Sequence, residues 1–459
     1  MVTLSAQDVV NSDLSQTPQD QLLHDLLRLS NGLNVPVRPE ISGWLGELRQ
    51  RSAYDAANGQ LPTTKDEAWQ FTDLSGLLTL DFAPASEPEL KPEAIAPYRL
   101  SEAQGAQLVF VNGVYHAELS QTEALPEGVF VGNLATLPLE DSYDAIKYLA
   151  HHEGVPDTFT ALNTAGFPDV ALLWVRQDVV VETPVQLLWV TVPSSEPILV
   201  QPRGLVICDR SAKLSLVEQY VTLETEPTPY LTNALVEVFV QENATLIHTR
   251  LQQESPAVYH LATTMVRQAQ DSTYTLTTLD LGARLSRHAP GIWQKGSGTS
   301  TTLNGLTLIN GEQTSDTHSL IALNHPHGTT DQLHKCVVDG AAHAVFSGKV
   351  LVPQAAQQTN AAQLNRNLLL SSKSRVNTQP QLQITADNVQ CTHGATVSQI
   401  DADELFYLQS RGINAEQAKV LLLKAFAAEV IERVAVESVR DKLTQAVADY
   451  TKADLKAEG

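Results

Sequence analysis

Cys391-Thr392-His393 sets a thiol and an imidazole two residues apart. On a strand such neighbours share one side, about 6.6 Å apart, so thiolate and imidazole could face one space and hold a metal ion or cluster. The competing reading is a buried, inert cysteine beside a hydrogen-bonded histidine. Five histidines fall close together, His318, His325, His327, His334 and His343, with Cys336 among them. Imidazole and thiolate suit zinc or iron, which makes His334-x-Cys336 a pair to test, and a mononuclear metal hydrolase on His334, Cys336 and His343 is one reading. With no Cys-x-x-Cys, side chains lining turns and solvent faces are the plainer account. The cysteines, Cys208, Cys336 and Cys391, are too few and scattered for a disulfide framework and fit a reducing compartment.

Other familiar chemistry is missing. Gly291-Ile292-Trp293-Gln294-Lys295-Gly296-Ser297 has the glycine spacing of a phosphate loop, but Ser297 stands where that loop needs lysine. There is no Gly-x-Ser-x-Gly elbow, His-Glu-x-x-His helix or Gly-x-Gly-x-x-Gly loop, so any ATP involved belongs to another chain. Lys and Arg total 30 against 52 Asp and Glu, a formal net charge of -22 that repels phosphate backbones and anionic lipid. Nucleic acid and membrane are therefore not expected as partners. No stretch of 18 uncharged apolar residues exists, and the opening Met1-Val2-Thr3-Leu4-Ser5 has no basic or apolar signal region, so a soluble, cytoplasmic protein is expected.

The elements that must hold these groups fall into three textures. With 459 residues and 43% hydrophobic content, the chain folds as several domains or as an elongated repeat. Residues 1–166 read as mostly helical: a stripe at Gln21–Leu27 closed by Asn31-Gly32, a second helix from Gly43 to Asn58 with Trp44, Leu48 and Ala53 inward, a proline-rich linker from Pro84 to Pro97, an Asn112-Gly113 hairpin, and helix again from Ser142 to about Ala165. Residues 167–399 are strand and turn. A small polar opening followed by alternating apolar residues recurs at Ser211, Asn243, Ser272 and Thr301, spaced 32, 29 and 29 residues. That spacing favours a parallel β-helix over a sandwich, whose turns come every 8–12 residues or so. Residues 400–459 return to helix: Asp401 with Glu404 opens one that Gly412 closes, and Asn414 with Gln417 opens the next, with Val420, Leu423, Ala427, Val430, Ile431 and Val434 on its apolar face. A further amphipathic stretch runs from Val439 to Tyr450. Cys391 and His393 thus end the β body, where an open solenoid presents unpaired backbone groups that a cap or a partner strand must cover.

Several phrases together resemble a known family: Gln358-Thr359-Asn360-Ala361 with Asn365-Arg366-Asn367-Leu368-Leu369-Leu370, Cys391-Thr392-His393-Gly394-Ala395-Thr396, Leu405-Phe406-Tyr407-Leu408-Gln409-Ser410-Arg411-Gly412-Ile413, and the earlier Lys65-Asp66-Glu67-Ala68-Trp69-Gln70-Phe71-Thr72-Asp73-Leu74. They are similar to the SufB/SufD scaffold proteins of the SUF iron–sulfur cluster assembly machinery. Thr392-His393-Gly394-Ala395-Thr396 looks like the SufD branch, SufB usually carrying a Glu-His-Glu-Ala type phrase there. The resemblance implies a right-handed parallel β-helix flanked by helical domains, and a non-enzymatic subunit in a complex of one SufB, one SufD and two SufC ATPases. It implies that His393, with Cys391 beside it, lies at the cluster site shared with SufB. It further implies that Leu405, Phe406, Tyr407, Gln409, Arg411, Gly412 and Ile413 belong to the element that docks SufC. The chain would then hold no cofactor of its own, only a transient cluster shared with SufB, while SufC binds ATP; a homodimer is possible when the chain is isolated. Ala435 departs from the family by standing where many members have a proline-like break. A β-helix polysaccharide lyase or hydrolase is the alternative; it needs clustered carboxylates and commonly a secretion signal, and the sequence offers neither plainly.

Overall fold

The computed structural model describes residues 17–30, 37–151, 153, 157–224 and 226–454. Asn31-Gly32, expected to close the first helix, and the opening residues 1–5 lie outside them. The amino-terminal part holds helices α1 (Pro18–Ser30) and α2 (Pro39–Ala57), the single turn α3 (Pro92–Ile95), strands β1 (Gln107–Val111), β2 (Val114–Tyr115) and β3 (Val129–Gly132), and helices α4 (Leu139–Ala145) and α5 (Thr158–Gly166). The helical stretch expected from Ser142 to Ala165 is thus two helices. The second has its own start, because the Asp157 side chain accepts from the Thr160 N–H at 2.8 Å. In α2 the buried stripe is Ile41, Leu45, Leu48, Ser52 and Ala56, with Trp44 and Ala53 at its margin. Asn112 and Gly113 turn β1 into β2 with φ of 48° and 86°, a turn both residues tolerate.

The body is a β-solenoid of about eight turns. Its early strands are β4 (Ala171–Val175), β5 (Val185–Thr191), β6 (Leu199–Val200) and β7 (Arg203–Cys208). Regular rungs follow: β8 (Lys213–Thr222), β9 (Leu231–Val240), β10 (Thr245–Gln253), β11 (Tyr259–Gln268), β12 (Thr273–Asp280), β13 (Leu285–Gln294) and β14 (Ser300–Ile309). The last are β15 (Thr314–Ala322), β16 (Thr329–Val338), β17 (His343–Val352), β18 (Asn360–Leu369), β19 (Arg375–Ile384) and β20 (Gln390–Gln399). Even-numbered strands from β8 to β20 continue a sheet begun by β2, β1 and β5, and the other sheet runs β3, β4, β7 and then the odd strands to β19. β1 pairs in parallel with β5, Phe110 opposite Trp189, so a strand from the amino-terminal part joins the solenoid sheet.

The recurring phrases begin at corners (Ser211, Asn243) or one to three residues after them (Ser272, Thr301). Ser211, Asn243, Asp271, Gly298, His327 and Gln358 each lie two residues before an even-numbered strand with φ between 56° and 71°. The N–H of each donates to a carbonyl one coil on, as Asn243 to Gln270 and Asp271 to Ser297. Left-handed backbone costs a non-glycine residue roughly 1 kcal/mol, and the repeated hydrogen bond offsets it.

Inside the coils, apolar columns such as Leu214, Leu246 and Tyr274 share space with buried ion pairs. His248 Nε2 lies 2.9 Å from Glu218 and Arg250 3.1 Å from Asp280, while His260 meets Glu254. The outer face of the odd sheet takes the amino-terminal helices, Leu26 and Leu162 meeting Leu261 and Leu285. There Thr72 bonds Asp316 at 2.6 Å and the Arg287 guanidinium stacks 4.0 Å from the Trp69 ring, so the Lys65–Leu74 phrase is anchored to the odd sheet. Of the carboxy-terminal helices α6 (Ala402–Ser410), α7 (Ala415–Ile431) and α8 (Glu437–Asp454), the outer face of the even sheet takes α7 and α8. Asp401 caps α6 and Asn414 caps α7 through Gln417 N–H at 2.8 Å, with Gly412 between them at φ 88°. The chain still breaks between α7 and α8 with Ala435 in place of a proline.

Candidate functional site

β20 hydrogen-bonds β18 on one side and ends its sheet, as β19 ends the other. These two strands are the most exposed rung; Val397 is 49% exposed although its column continues into buried Asn367 and Cys336. Within β20, Cys391 stands opposite Ala361 and His393 opposite Gln363, and both partners are buried in the coil interior. Thiol and imidazole therefore share the inward face at the open end, as their spacing predicts. Cys391 is half-buried against the core cluster, and burial pushes its thiol pKa up. His393 is exposed. Its Nδ1 lies 3.2 Å from the Pro380 carbonyl of β19, an acceptor that requires Nδ1–H and leaves the Nε2 lone pair available to a ligand.

The other histidines do not converge. His334 is buried inside the coil, Nε2 3.2 Å from Thr307 Oγ1, and burial lowers its pKa to about 4. Cys336 is buried beside it with its thiol pushed up to about 12, as is that of Cys208. His343 sits on the other sheet, 2.7 Å from Asn377 Oδ1, and His327 is a left-handed corner. Among the described residues no three His, Cys, Asp or Glu side chains are placed to hold a metal ion, so His334, Cys336 and His343 do not form the centre a hydrolase would need. The core-strand carboxylates Glu218, Glu237, Asp280 and Asp316 are buried in ion pairs, away from any substrate.

A second surface lies beyond β20. No residue of α6 is buried; Phe406 is 70% and Tyr407 57% exposed. Arg411 folds back over the Tyr407 ring and donates to its hydroxyl at 3.2 Å. Leu405 and Ile413 are half-buried behind them, Gln409 is exposed, and Gly412 makes the bend. These residues form one protruding knuckle. The reasoning from sequence missed the ion pairs inside the coil and the Lys335–Glu429 contact at 2.6 Å beneath α7. Their one signal is a charged residue at the same offset in successive strands, as Glu218 and Arg250.

No helix among the described residues is long and apolar enough to cross a membrane. Two family models match the chain: the SUF system FeS cluster assembly SufBD core domain over residues 191–426 and the SufBD protein N-terminal region over residues 26–187. An iron–sulfur cluster assembly SufBD family protein of Synechocystis is 46% identical over 409 residues, covering 88% of this chain and 90% of that protein. The protein ABCI7, chloroplastic, of Arabidopsis thaliana is 36% identical, covering 91% and 89%. The iron–sulfur cluster assembly protein SufD of Escherichia coli is 30% identical, covering 83% and 88%.

Proposed function

We propose, from the premise that the chain belongs to the SufBD family of the SUF iron–sulfur cluster assembly system, that it is a non-enzymatic, cytoplasmic SufD-type scaffold subunit. It pairs with SufB at the open β19–β20 end and docks the SufC ATPase through Leu405, Phe406, Tyr407, Gln409, Arg411, Gly412 and Ile413. The cluster is cargo. His393 offers Nε2 to it at the seam, Cys391 stands beside that nitrogen, and SufB supplies the remaining donors; ATP is bound by SufC. The observation that carries this reading is the exposed last rung, whose unpaired backbone groups invite an added strand beside the only inward-facing thiol–imidazole pair of β20. Motion of two SufC subunits would reach the seam through the stiff coils. Without SufB the same end can pair with a second copy of the chain.

Co-expression with SufB and SufC tests the reading by size analysis and by iron and sulfide counts after reconstitution. His393→Ala should assemble normally and lose cluster formation. A full cluster yield from that variant would remove His393 from the site, and a chain that stays apart from both partners would refute the scaffold role.

A further inference from the structure

On the outer face of the even sheet, Leu251, Leu279 and Leu306 stand in register as one column, and the next two places are Lys335 and Arg366. α7 covers this column, burying Leu423, Ala427, Val430 and Ile431. Lys335 is 3% exposed. Its Nζ donates to the Phe426 carbonyl at 2.8 Å and to the Glu429 carboxylate at 2.6 Å, and lies 4.6 Å from the Phe426 ring centroid. Arg366, one rung nearer the open end, has Nη1 3.7 Å from the same carboxylate and stands opposite Thr396 of β20. An ammonium taken out of water here costs desolvation, and an apolar side chain continuing the leucine column would pack at least as stably. Stability does not explain the lysine. What an ion pair adds over a leucine contact is a fixed seat, because a charge bound to one carboxylate and one carbonyl cannot slide along the sheet as apolar surfaces can.

We propose that Lys335 is a positioning residue that locks α7 to the last rungs of the solenoid, so that displacement of the α6–α7 knuckle reaches β18 and β20, where His393 stands. This rests on the reading of the knuckle as the ATPase docking element. The test is hydrogen exchange of residues 390–399 in the assembled SufB–SufC complex with and without ATP, for the wild-type chain, Lys335→Met and Lys335→Arg. Lys335→Met should fold with equal or higher thermal midpoint and assemble, yet lose at least fivefold of the ATP-dependent change in exchange, which Lys335→Arg should largely restore. A wild-type response in Lys335→Met overturns the coupling alone. Absence of ATPase binding in the wild type overturns the docking reading and the coupling with it, whereas ATPase binding without any response in the wild type overturns the coupling alone. Should Lys335→Met not fold, Glu429→Gln, which keeps shape and removes the charge, is read in the same way.

Discussion

His334 gives a quantitative test of how the coil interior treats charge. Its ring lies against Gly305, where a Cβ would come within 1.9 Å of Nδ1, and 5.1 Å from the Phe346 ring, so bulk solvent is held away from a proton placed there. Burial lowers its pKa from 6.5 to about 4, a nearby Asp280 charge only partly opposing the shift. The unfolded chain takes up this proton as pH falls through about 6.5, whereas the folded one waits until about 4. Stability contributed by the neutral histidine is therefore complete above the unfolded pKa, is lost as pH falls, and levels off below the folded value. At about 1.4 kcal/mol per pH unit, the loss by pH 5 is about 2 kcal/mol. His288 and His318 are shifted downward by burial as well and add to the slope. His334→Gln keeps a polar group near Thr307 and removes the titration. Urea unfolding followed by tryptophan fluorescence between pH 7.5 and 5 should show a variant weaker at pH 7.5 whose deficit narrows by about 2 kcal/mol at pH 5. Parallel curves for the two proteins would refute the assignment of a buried neutral imidazole.

Asp169 should act with the opposite sign: burial raises its carboxyl to about 6 despite hydrogen bonds from Asn133 and two backbone N–H groups, so the folded state gains stability as pH falls from above 6 toward 4. Asp169→Asn should abolish that gain in the same titration. Glu102 accepts from Ser438 N–H at 2.7 Å and its hydroxyl at 2.6 Å on the first turn of α8; Glu102→Ala should cost about 1–2 kcal/mol and speed amide exchange in α8 before the solenoid. Cys391 should be labelled by a thiol reagent in the native protein, and Cys208 and Cys336 only after unfolding, as mass spectrometry of the modified peptides would show. Phe406→Asp and Tyr407→Asp should leave stability within about 0.5 kcal/mol and abolish SufC co-purification; retained binding would place the docking surface elsewhere.

Much of the architecture was legible because it repeats. Ser211 and Asn243 open phrases at a spacing that favours a coil of parallel strands, and they are left-handed corners of that coil. The terminal pair was legible too, since a period of two puts Cys391 and His393 on one face whatever lies around them. Long-range partners left no local trace. Nothing near Gln107 says that it will pair with Gln186, and nothing near Glu429 says that its carboxylate will meet a lysine 94 residues earlier in the chain. The histidines between 318 and 343 are scattered for the same reason: closeness in sequence spreads them over the inside of one sheet, the outside of the other and a corner, because each coil turns the chain through all three environments.

The left-handed corners also decide where this molecule can change in length. Each fixes the last two residues before a strand and ties them to the neighbouring coil, so an added residue there would throw the following strand out of phase and turn its core side outward. Extra residues are admitted only upstream of that fixed step or at the opposite bend, as the longer connection between β8 and β9 illustrates. Tags, cleavage sites and fluorescent inserts should be tolerated at those places and nowhere along the ladder itself.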